Sequence, residues 1–220
     1  MSHVNIPLMA EARSKRSYRG VQPEERKAQR RAQLLEAATR VFGENGVKGA
    51  TVKQICGEAG LTERYFYESF KNQQALFAAV YEAGVDRIRS AILTALAEAP
   101  DDSAALTQAA MTAFYSTLRD DPRLARIILV EVFGSTYQLE ELYQRGVGDF
   151  ADLTRDIIEA QGLIDPDSGL DAGLLSTAFV GATIHLALRW YLNGYPQSVQ
   201  TMVEHGLLLL RALPEVELNR

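Results

Sequence analysis

The fold is decided by the stretch "TVKQICGEAGLTERYFYESF", residues 51–70, which holds two short helical patterns on either side of a glycine. Thr51 is followed three residues later by Gln54, which is the spacing of a capping box at a helix N-terminus. Gly60 is the residue type that ends a helix, and Thr62 is placed to cap the next one. A helix, a three-residue break and a second short helix predict a helix-turn-helix.

The second helix of this stretch carries aromatic side chains with two different roles. Phe66 and Phe70 are four residues apart, so they share one face of the helix and are predicted to be core. Arg64, Tyr65 and Tyr67 fall on the remaining faces and are predicted to point outward. Tyrosine hydroxyls can bond phosphates and arginine can reach guanine edges in the major groove. On these residues alone, without the flanking sequence, an ordinary amphipathic surface is the favoured interpretation of the tyrosines.

The charge of the chain is distributed unevenly. Residues 1–71 carry 13 Lys and Arg against 8 Asp and Glu, whereas residues 72–220 carry 10 against 20. This division suggests a polyanionic partner for the first third only, although it can also arise by chance. Residues 1–23 show no helical periodicity, and "RSKRSYRG" (13–20) is basic. This flexible arm either contacts the DNA backbone or minor groove, or is a solvated tail.

Helical patterns continue from residue 72 to the end of the chain. They predict helices over about 72–98, 103–119, 122–134, 137–162, 170–194 and 197–212. No strand-like alternation is present, so the predicted class is all-α with about nine helices. No run of 18 apolar residues and no signal-peptide h-region occur, so no transmembrane span is predicted. The single cysteine, Cys56, suits the reducing cytoplasm, where we expect the protein to act.

The run from residue 30 to residue 80 resembles the N-terminal domain of the TetR family of bacterial transcriptional regulators. The resemblance is carried by "VFGENG" (41–46), "TVKQICGEAGLT" (51–62) and "YFYESFKNQQALF" (65–77). It implies a homodimeric repressor with a three-helix DNA-binding domain at residues 24–71. A larger helical domain at residues 72–220 would bind a ligand and dimerise. The implied partners are a palindromic double-stranded DNA operator and a small molecule.

On this resemblance we assign candidate DNA contacts around the helix-turn-helix: Thr51, Lys53, Thr62, Glu63, Arg64, Tyr65, Tyr67 and Lys71. The family often has a phosphate-contacting lysine where this chain has Gln73, and Lys71 is the nearest replacement. Glu63 either accepts a hydrogen bond from a cytosine amino group or favours the helix N-terminus electrostatically.

The remaining helices offer candidates for a ligand pocket and a dimer interface. Aromatic and soft side chains on the middle helices are Met111, Phe114, Tyr115, Phe133, Tyr137, Tyr143, Phe150 and Phe179. They predict a hydrophobic or aromatic ligand, but each is also compatible with a plain core position. The resemblance implies a four-helix dimer interface built from the last two helices of each chain. Candidates on their apolar stripes, which can also serve the core of one chain, are Leu186, Trp190, Val203, Leu207 and Leu210.

Enzymatic chemistry is not predicted. The three histidines, His3, His185 and His205, have no metal-ligand spacing, and neither a phosphate-binding glycine loop nor a nucleophile elbow occurs. We therefore predict no catalytic residue, no metal and no cofactor. Two alternatives to a ligand-released repressor stay open: a helical protein-interaction scaffold without DNA binding, and a ligand-responsive activator.

Overall fold

The computed structural model describes residues 23–134, 137–164 and 169–212, without the side chains of residues 137–139 and 211–212. Within these ranges the protein has nine α-helices, one 3₁₀ turn and no strand, which confirms the predicted all-α class. The helices are α1 (Pro23–Asn45), α2 (Val52–Ala59), α3 (Glu63–Ser69), α4 (Gln73–Glu98), α5 (Ser103–Asp120), α6 (Pro122–Leu129), α7 (Tyr137–Ala160), α8 (Ala172–Leu192) and α9 (Val199–Ala212). The 3₁₀ turn, Glu131–Gly134, follows α6 and divides the segment predicted as one helix. The predicted basic arm, apart from Pro23, lies outside the described residues.

Several helices begin at the polar residue that the sequence places there. Thr51 and Gln54 form the predicted capping box at α2, with 3.2 Å between Gln54 N and Thr51 Oγ1 and 2.9 Å between Thr51 N and Gln54 Oε1. Asn72 caps α4 by accepting a 2.8 Å hydrogen bond from Ala75 N. Thr62 differs from the prediction, because it stands at the N-cap position of α3 but its side chain makes no capping hydrogen bond.

A first hydrophobic core holds α1, α2, α3 and the beginning of α4 together. Its fully buried side chains include Leu34, Phe42, Ile55, Phe66 and Phe77. The rings of Phe42 and Phe77 pack edge to face with their centroids 5.4 Å apart. Burying a large apolar side chain contributes about 1.5–3 kcal/mol. The helix-turn-helix is therefore firmly attached to α1 and α4.

A second core is formed by α4 to α9. The rings of Tyr115 and Trp190 meet edge to face in it, with centroids 5.6 Å apart. The indole Nε1 of Trp190 donates to Gln197 O at 3.0 Å, so its polar atom is satisfied. Gly206 lets α9 lie close against α5, because a Cβ at this position would be 1.8 Å from Met111 Cε.

Two helices belong to both cores. α4 contributes Leu76 and Phe77 to the first core and Ile88 to the second. α6 contributes Ile127 to the first core and Leu129 to the second. α4 and α6 therefore connect the second core to the core that holds the helix-turn-helix.

α8 is the one helix in the described ranges that is long and apolar enough to cross a membrane, judged by length and composition. Helices that pack inside soluble proteins meet the same criterion, and α8 packs against α7. Within one chain, 17% of its most apolar 18-residue window is buried. Part of an apolar helix surface is therefore left uncovered.

Candidate DNA interface and ligand cavity

The turn between α2 and α3 has a defined backbone conformation. Gly60 adopts a left-handed conformation with φ 65° and ψ 28°. Its N–H donates to Gly57 O at 3.2 Å, and Leu61 N donates to Cys56 O at 2.9 Å. These bonds satisfy the last carbonyls of α2 and set the direction in which α3 leaves.

α3 divides its side chains between the core and the surface as the spacing predicts. Phe66 is fully buried and Phe70 is 5% exposed. On the outer face, Tyr67 is 60% exposed and the Arg64 side chain is 84% exposed. The Tyr67 ring packs edge to face on Phe66 with centroids 5.1 Å apart, so its orientation is supported from beneath.

Glu68 connects the outer face of α3 to α1. Its Oε1 accepts from Arg64 Nε at 3.2 Å, and its Oε2 lies 3.7 Å from Arg30 Nη2. The Arg30 guanidinium also lies over the ring of half-buried Tyr65, 4.4 Å from the centroid. Exposed ion pairs contribute less than about 1 kcal/mol, so Arg64 can leave Glu68 for a nucleic-acid base. Arg30 is a further cation near this face that the sequence did not indicate.

The other candidate DNA contacts are exposed, but their side chains differ in availability. Lys53, Glu63 and Lys71 lie on the surface. The hydroxyl of Thr51 is engaged with Gln54 in the capping box. The hydroxyl of exposed Thr62 makes no capping bond and is available to a phosphate oxygen.

Gln73, at the start of α4, has a structural partner. Its Nε2 donates to Val47 O at 2.8 Å, in the loop between α1 and α2. The side chain therefore links α4 to this loop and is not free to meet a phosphate. Lys71 remains the exposed cation nearest to this position.

An apolar cavity of about 110 Å³ lies among α4, α5, α6, α7 and α8. Five predicted pocket residues line it: Met111, Phe114, Tyr143, Phe150 and Phe179. None of the described residues that line the cavity is charged. The lining therefore favours an apolar ligand, because a buried charge would have no partner.

A few polar groups interrupt this lining. Burial raises the pKa of the Tyr81 phenol, and neighbouring Tyr143 adds to the effect. Both phenols therefore stay neutral at physiological pH and can act as hydrogen-bonding groups. Two threonines complete the set. Thr154 Oγ1 donates to Phe150 O at 2.8 Å, whereas Thr183 Oγ1 is buried and has no partner among the described residues.

The cavity adjoins a polar groove between α4 and α7. Tyr81, Val85 and Gly146 line both. Charged side chains of the groove are Glu82, Asp86, Arg89, Arg145 and Asp149, with Arg89 paired to Asp149. The groove and the cavity therefore share part of one wall.

Polar contacts connect α6 and the 3₁₀ turn to the end of α1, and we call this network the Arg126–Glu131 clamp. Arg126 Nε donates to Glu131 Oε1 at 2.9 Å, and Arg126 Nη1 donates to Glu44 O at 2.8 Å. Glu131 Oε2 accepts from Val47 N at 2.9 Å. Gly46 has φ +73°, and a Cβ there would be 2.9 Å from Glu131 Oε1. The clamp thus contacts the loop that leads directly into the helix-turn-helix.

Comparison with known proteins shows which family this helical architecture belongs to. The N-terminal family model described as "Bacterial regulatory proteins, tetR family" matches residues 34–80. The HTH-type transcriptional activator FasR of Mycolicibacterium smegmatis is 29% identical over 179 residues, covering 80% of this chain and 78% of FasR. The HTH-type transcriptional repressor KstR2 of Rhodococcus jostii is 25% identical over 186 residues, covering 84% of this chain and 90% of KstR2. The chain belongs to the TetR family. It is a transcriptional regulator.

The solved structure of FadR from Bacillus subtilis, described as a transcriptional regulator in complex with stearoyl-CoA, has the same fold. It superposes with a TM-score of 0.72 over 82% of this chain and 97% of FadR. The two sequences are 21% identical, so this likeness concerns the fold alone. The TetR-family fold thus extends well beyond the matched N-terminal residues.

Two predicted pocket residues of this TetR-family chain, Tyr115 and Phe133, are not in the cavity wall. Tyr115, fully buried, packs against Trp190 in the second core. Its neighbour Phe114 takes the cavity position, because adjacent residues point about 100° apart around a helix. Phe133 lies in the 3₁₀ turn and is 59% exposed. Its ring packs against the Tyr143 ring, with the two centroids 5.0 Å apart. The side chain of Tyr137 lies outside the described residues.

The predicted dimer residues of the TetR-family chain belong largely to its own second core. Trp190 is 2% exposed and Val203 is 1% exposed, so neither is accessible to a second chain. Leu186, Leu207 and Leu210 are partly buried and pack against the same core. The apolar stripes chosen on sequence therefore face inward.

A different set of residues is uncovered on the last two helices, and we call it the α8–α9 stripe. Its exposed members are Leu174, Ala178, Gly181, Leu192, Leu208 and Leu209. On α8, exposed Ala178 comes one residue before buried Phe179, which corresponds to a rotation of about 100° around the helix axis. α8 is thus apolar on two faces, and one chain covers only one of them.

Sequence reasoning missed the part of α4 that lines the cavity. Tyr81, Val85, Ile88 and Ile92 follow one another at helical spacing and all line it. That periodicity was visible in the sequence and indicates a buried face. The clamp had no comparable signal, because its residues come from segments more than 80 positions apart.

Proposed function

We propose that this TetR-family chain is a homodimeric repressor that binds a palindromic operator and is released by an apolar small molecule in the cavity. The observation that carries the proposal is the path of α4. Its first turns place Leu76 and Phe77 in the same core as Phe66 of α3. Its later turns place Val85 and Ile88 in the cavity wall. Widening the cavity would displace the helix that supports the DNA-reading surface.

On the DNA side, α3 is the proposed recognition helix. A helix enters the major groove, which is about 12 Å wide, and presents its exposed side chains to base edges. Arg64 is the candidate for reading a base, because its side chain is long, charged and exposed. Thr62 and Tyr67 are the candidates for phosphate contacts, which position the protein without reading sequence. Lys71 adds positive charge beside them.

On the ligand side, the uncharged lining supports a long apolar molecule. FadR of Bacillus subtilis, which shares the fold, was crystallised with stearoyl-CoA. Ligand pockets usually measure about 300–1,000 Å³. The cavity measures about 110 Å³, so a ligand of that size would have to push its walls apart. The polar groove between α4 and α7 would admit the ligand and hold its polar end.

Coupling between the two sides is proposed to run through α6 as well as α4. Ile128 and Leu129 line the cavity, and they lie between Arg126 and Glu131 in the chain. Outward movement of these side chains would shift both clamp residues. The clamp would then pull on Val47, which it contacts directly. Ligand binding would in this way change the position of the helix-turn-helix.

We propose the α8–α9 stripe as the dimer interface. Two copies of this stripe would bury exposed leucines, and the small residues Ala178 and Gly181 would let the helices approach closely. Dimerisation would place two copies of α3 at a fixed separation. Half-sites on one face of DNA are about 34–36 Å apart, or a multiple of that distance. In this arrangement residues 24–71 bind DNA in the cytoplasm, and residues 72–220 bind the ligand and form the dimer.

The test combines binding-site selection with a ligand titration. A consensus duplex is selected from random DNA, and its affinity is measured by fluorescence anisotropy with and without stearoyl-CoA. We expect stearoyl-CoA to weaken operator binding. Gly146→Leu, which would fill the cavity beside Tyr81, should abolish this effect. Gly148→Leu is the matched control on the same helix, because nothing lies within 4 Å of its Cβ position.

Each result of this test has a defined meaning. Absence of sequence-specific, salt-dependent binding would reject the DNA-binding proposal and favour the scaffold alternative. Stronger operator binding with stearoyl-CoA would reject release and assign ligand-dependent activation or co-repression. Tyr67→Phe should weaken selected and random duplexes by the same factor, because a phosphate contact carries no sequence information.

A further inference from the structure

Thr183, one of the residues in the wall of the apolar cavity, has a buried hydroxyl without a hydrogen-bonding partner in the described part of the protein. Thr183 lies on α8 and lines the cavity beside Phe179, Val180 and Ile184. Its Oγ1 is buried and forms no hydrogen bond within the described part of the protein. A buried hydroxyl without a partner is destabilising, because it has lost its hydrogen bonds to water. Its presence in the cavity wall therefore needs a physical reason.

The other threonines inside helices show what Thr183 lacks. Five of them donate to the carbonyl four residues earlier, at 2.7–2.9 Å: Thr39, Thr107, Thr117, Thr154 and Thr177. Thr154 is the closest comparison, because it lines the same cavity from α7. Thr183 makes no such bond to Phe179 O. The hydrogen bond to the carbonyl four residues earlier is thus present for Thr154 on one wall of the cavity and absent for Thr183 on the other.

We propose that Thr183 is a specificity-determining residue that hydrogen-bonds a neutral oxygen function, a hydroxyl or a carbonyl, on an otherwise apolar ligand. This inference rests on the proposed role of the cavity as the ligand site. The lining is uncharged, so the ligand function at this depth is neutral as well. A saturated hydrocarbon chain would leave Thr183 unpartnered. The ligand of this chain is therefore an apolar molecule that carries a hydroxyl or carbonyl oxygen at the depth of Thr183.

The experiment uses two probes of nearly the same shape that differ in one polar group. Phenol carries a hydroxyl where toluene carries a methyl group. Single-ring probes are chosen because the cavity of about 110 Å³ is of the same order as an engineered apolar cavity of roughly 150 Å³ that binds benzene. Dissociation constants are measured by NMR titration on the full-length wild type and on Thr183→Val. Thr154→Val is the matched control, because it removes a satisfied hydroxyl from the same cavity.

We expect the affinity ratio of phenol to toluene to fall about five- to tenfold in Thr183→Val, which is the effect of one buried hydrogen bond. The same ratio should not change in Thr154→Val. Because the same two probes are used on both proteins, their different hydration cancels when the ratio of the variant is compared with that of the wild type. Without probe, Thr183→Val should raise Tm by about 2–4 °C, since it removes the unpartnered hydroxyl.

The outcomes separate this inference from the function on which it rests. If both probes bind and the ratio is unchanged in Thr183→Val, Thr183 does not select the ligand, while the cavity remains the ligand site. If neither probe binds the wild type, both the ligand site and the role of Thr183 are rejected. Thr183→Ser retains a hydroxyl and should preserve the preference for phenol. A loss of the preference in Thr183→Ser would also overturn the assignment.

Discussion

Glu131→Gln tests whether the Arg126–Glu131 clamp carries a ligand signal to the helix-turn-helix. The substitution preserves the size of the side chain but removes its charge. Glutamine has one terminal acceptor and one terminal donor, so it cannot accept hydrogen bonds from Arg126 and Val47 through two separate oxygens. The Glu131 side chain is 14% exposed, so water replaces the lost bond only in part.

The magnitude follows from the two contacts of Glu131. Arg126 Nε and Val47 N each lie 2.9 Å from one of its carboxylate oxygens. A hydrogen bond to a charged group contributes about 1.5–3 kcal/mol, and the substitution removes one and weakens the other. We expect the free energy of unfolding to fall by about 2 kcal/mol. For a chain of this length Tm should fall by about 4–8 °C.

The decisive measurement is operator affinity with and without stearoyl-CoA. Allosteric coupling usually changes the affinity at the second site by about 5- to 150-fold. In Glu131→Gln we expect stearoyl-CoA to change operator affinity by less than about a third of the factor that it produces in the wild type. Glu44→Gln is the matched control. It breaks the exposed contact between Glu44 Oε1 and Arg123 Nη2, 2.7 Å apart, which also joins α1 to α6. An exposed pair contributes less than about 1 kcal/mol, so this variant should respond like the wild type.

Two results would refute this reasoning. Full ligand response in Glu131→Gln would mean that the signal passes through α4 without the clamp. An equal loss of response in Glu131→Gln and Glu44→Gln would mean that any loosening between α1 and α6 uncouples the two sides. Binding of stearoyl-CoA itself is measured in parallel, so that a damaged cavity is recognised.

Three further predictions concern the recognition helix, the dimer and the turn. Arg64→Ala should weaken selected-operator binding by about 1–3 kcal/mol in anisotropy titrations, and unchanged affinity would remove it from base reading. Leu192→Glu, at a position 65% exposed in the α8–α9 stripe, should give monomers in light scattering. Leu93→Glu, 48% exposed on α4, should leave the dimer intact, and a dimer in both variants would reject the stripe. Gly60→Ala should lower the free energy of unfolding by about 1–2 kcal/mol in urea titrations because of its positive φ. Gly57→Ala, inside α2 with nothing within 4 Å of its Cβ position, should raise it by about 0.5–1 kcal/mol, and equal effects would contradict the backbone argument.

The sequence by itself determined the local elements of this protein. The capping box at Thr51, the cap at Asn72 and the glycine at Gly60 set helix ends through interactions within a few residues of the chain. The spacing of Phe66 and Phe70 placed both rings on the buried face of α3, because helical periodicity is a property of the backbone. For these features no distant part of the chain needed to be known.

Only the tertiary structure decided which apolar surface faces which partner. α8 has two apolar faces, and its spacing could not tell that Trp190 packs in the core while Leu192 is exposed. Tyr115 and Phe114 are adjacent and both aromatic, yet only the second reaches the cavity. Hydrophobic burial is not directional, so an apolar residue is compatible with a core, a cavity or an interface alike. The choice among them depends on the neighbours that distant segments bring into contact.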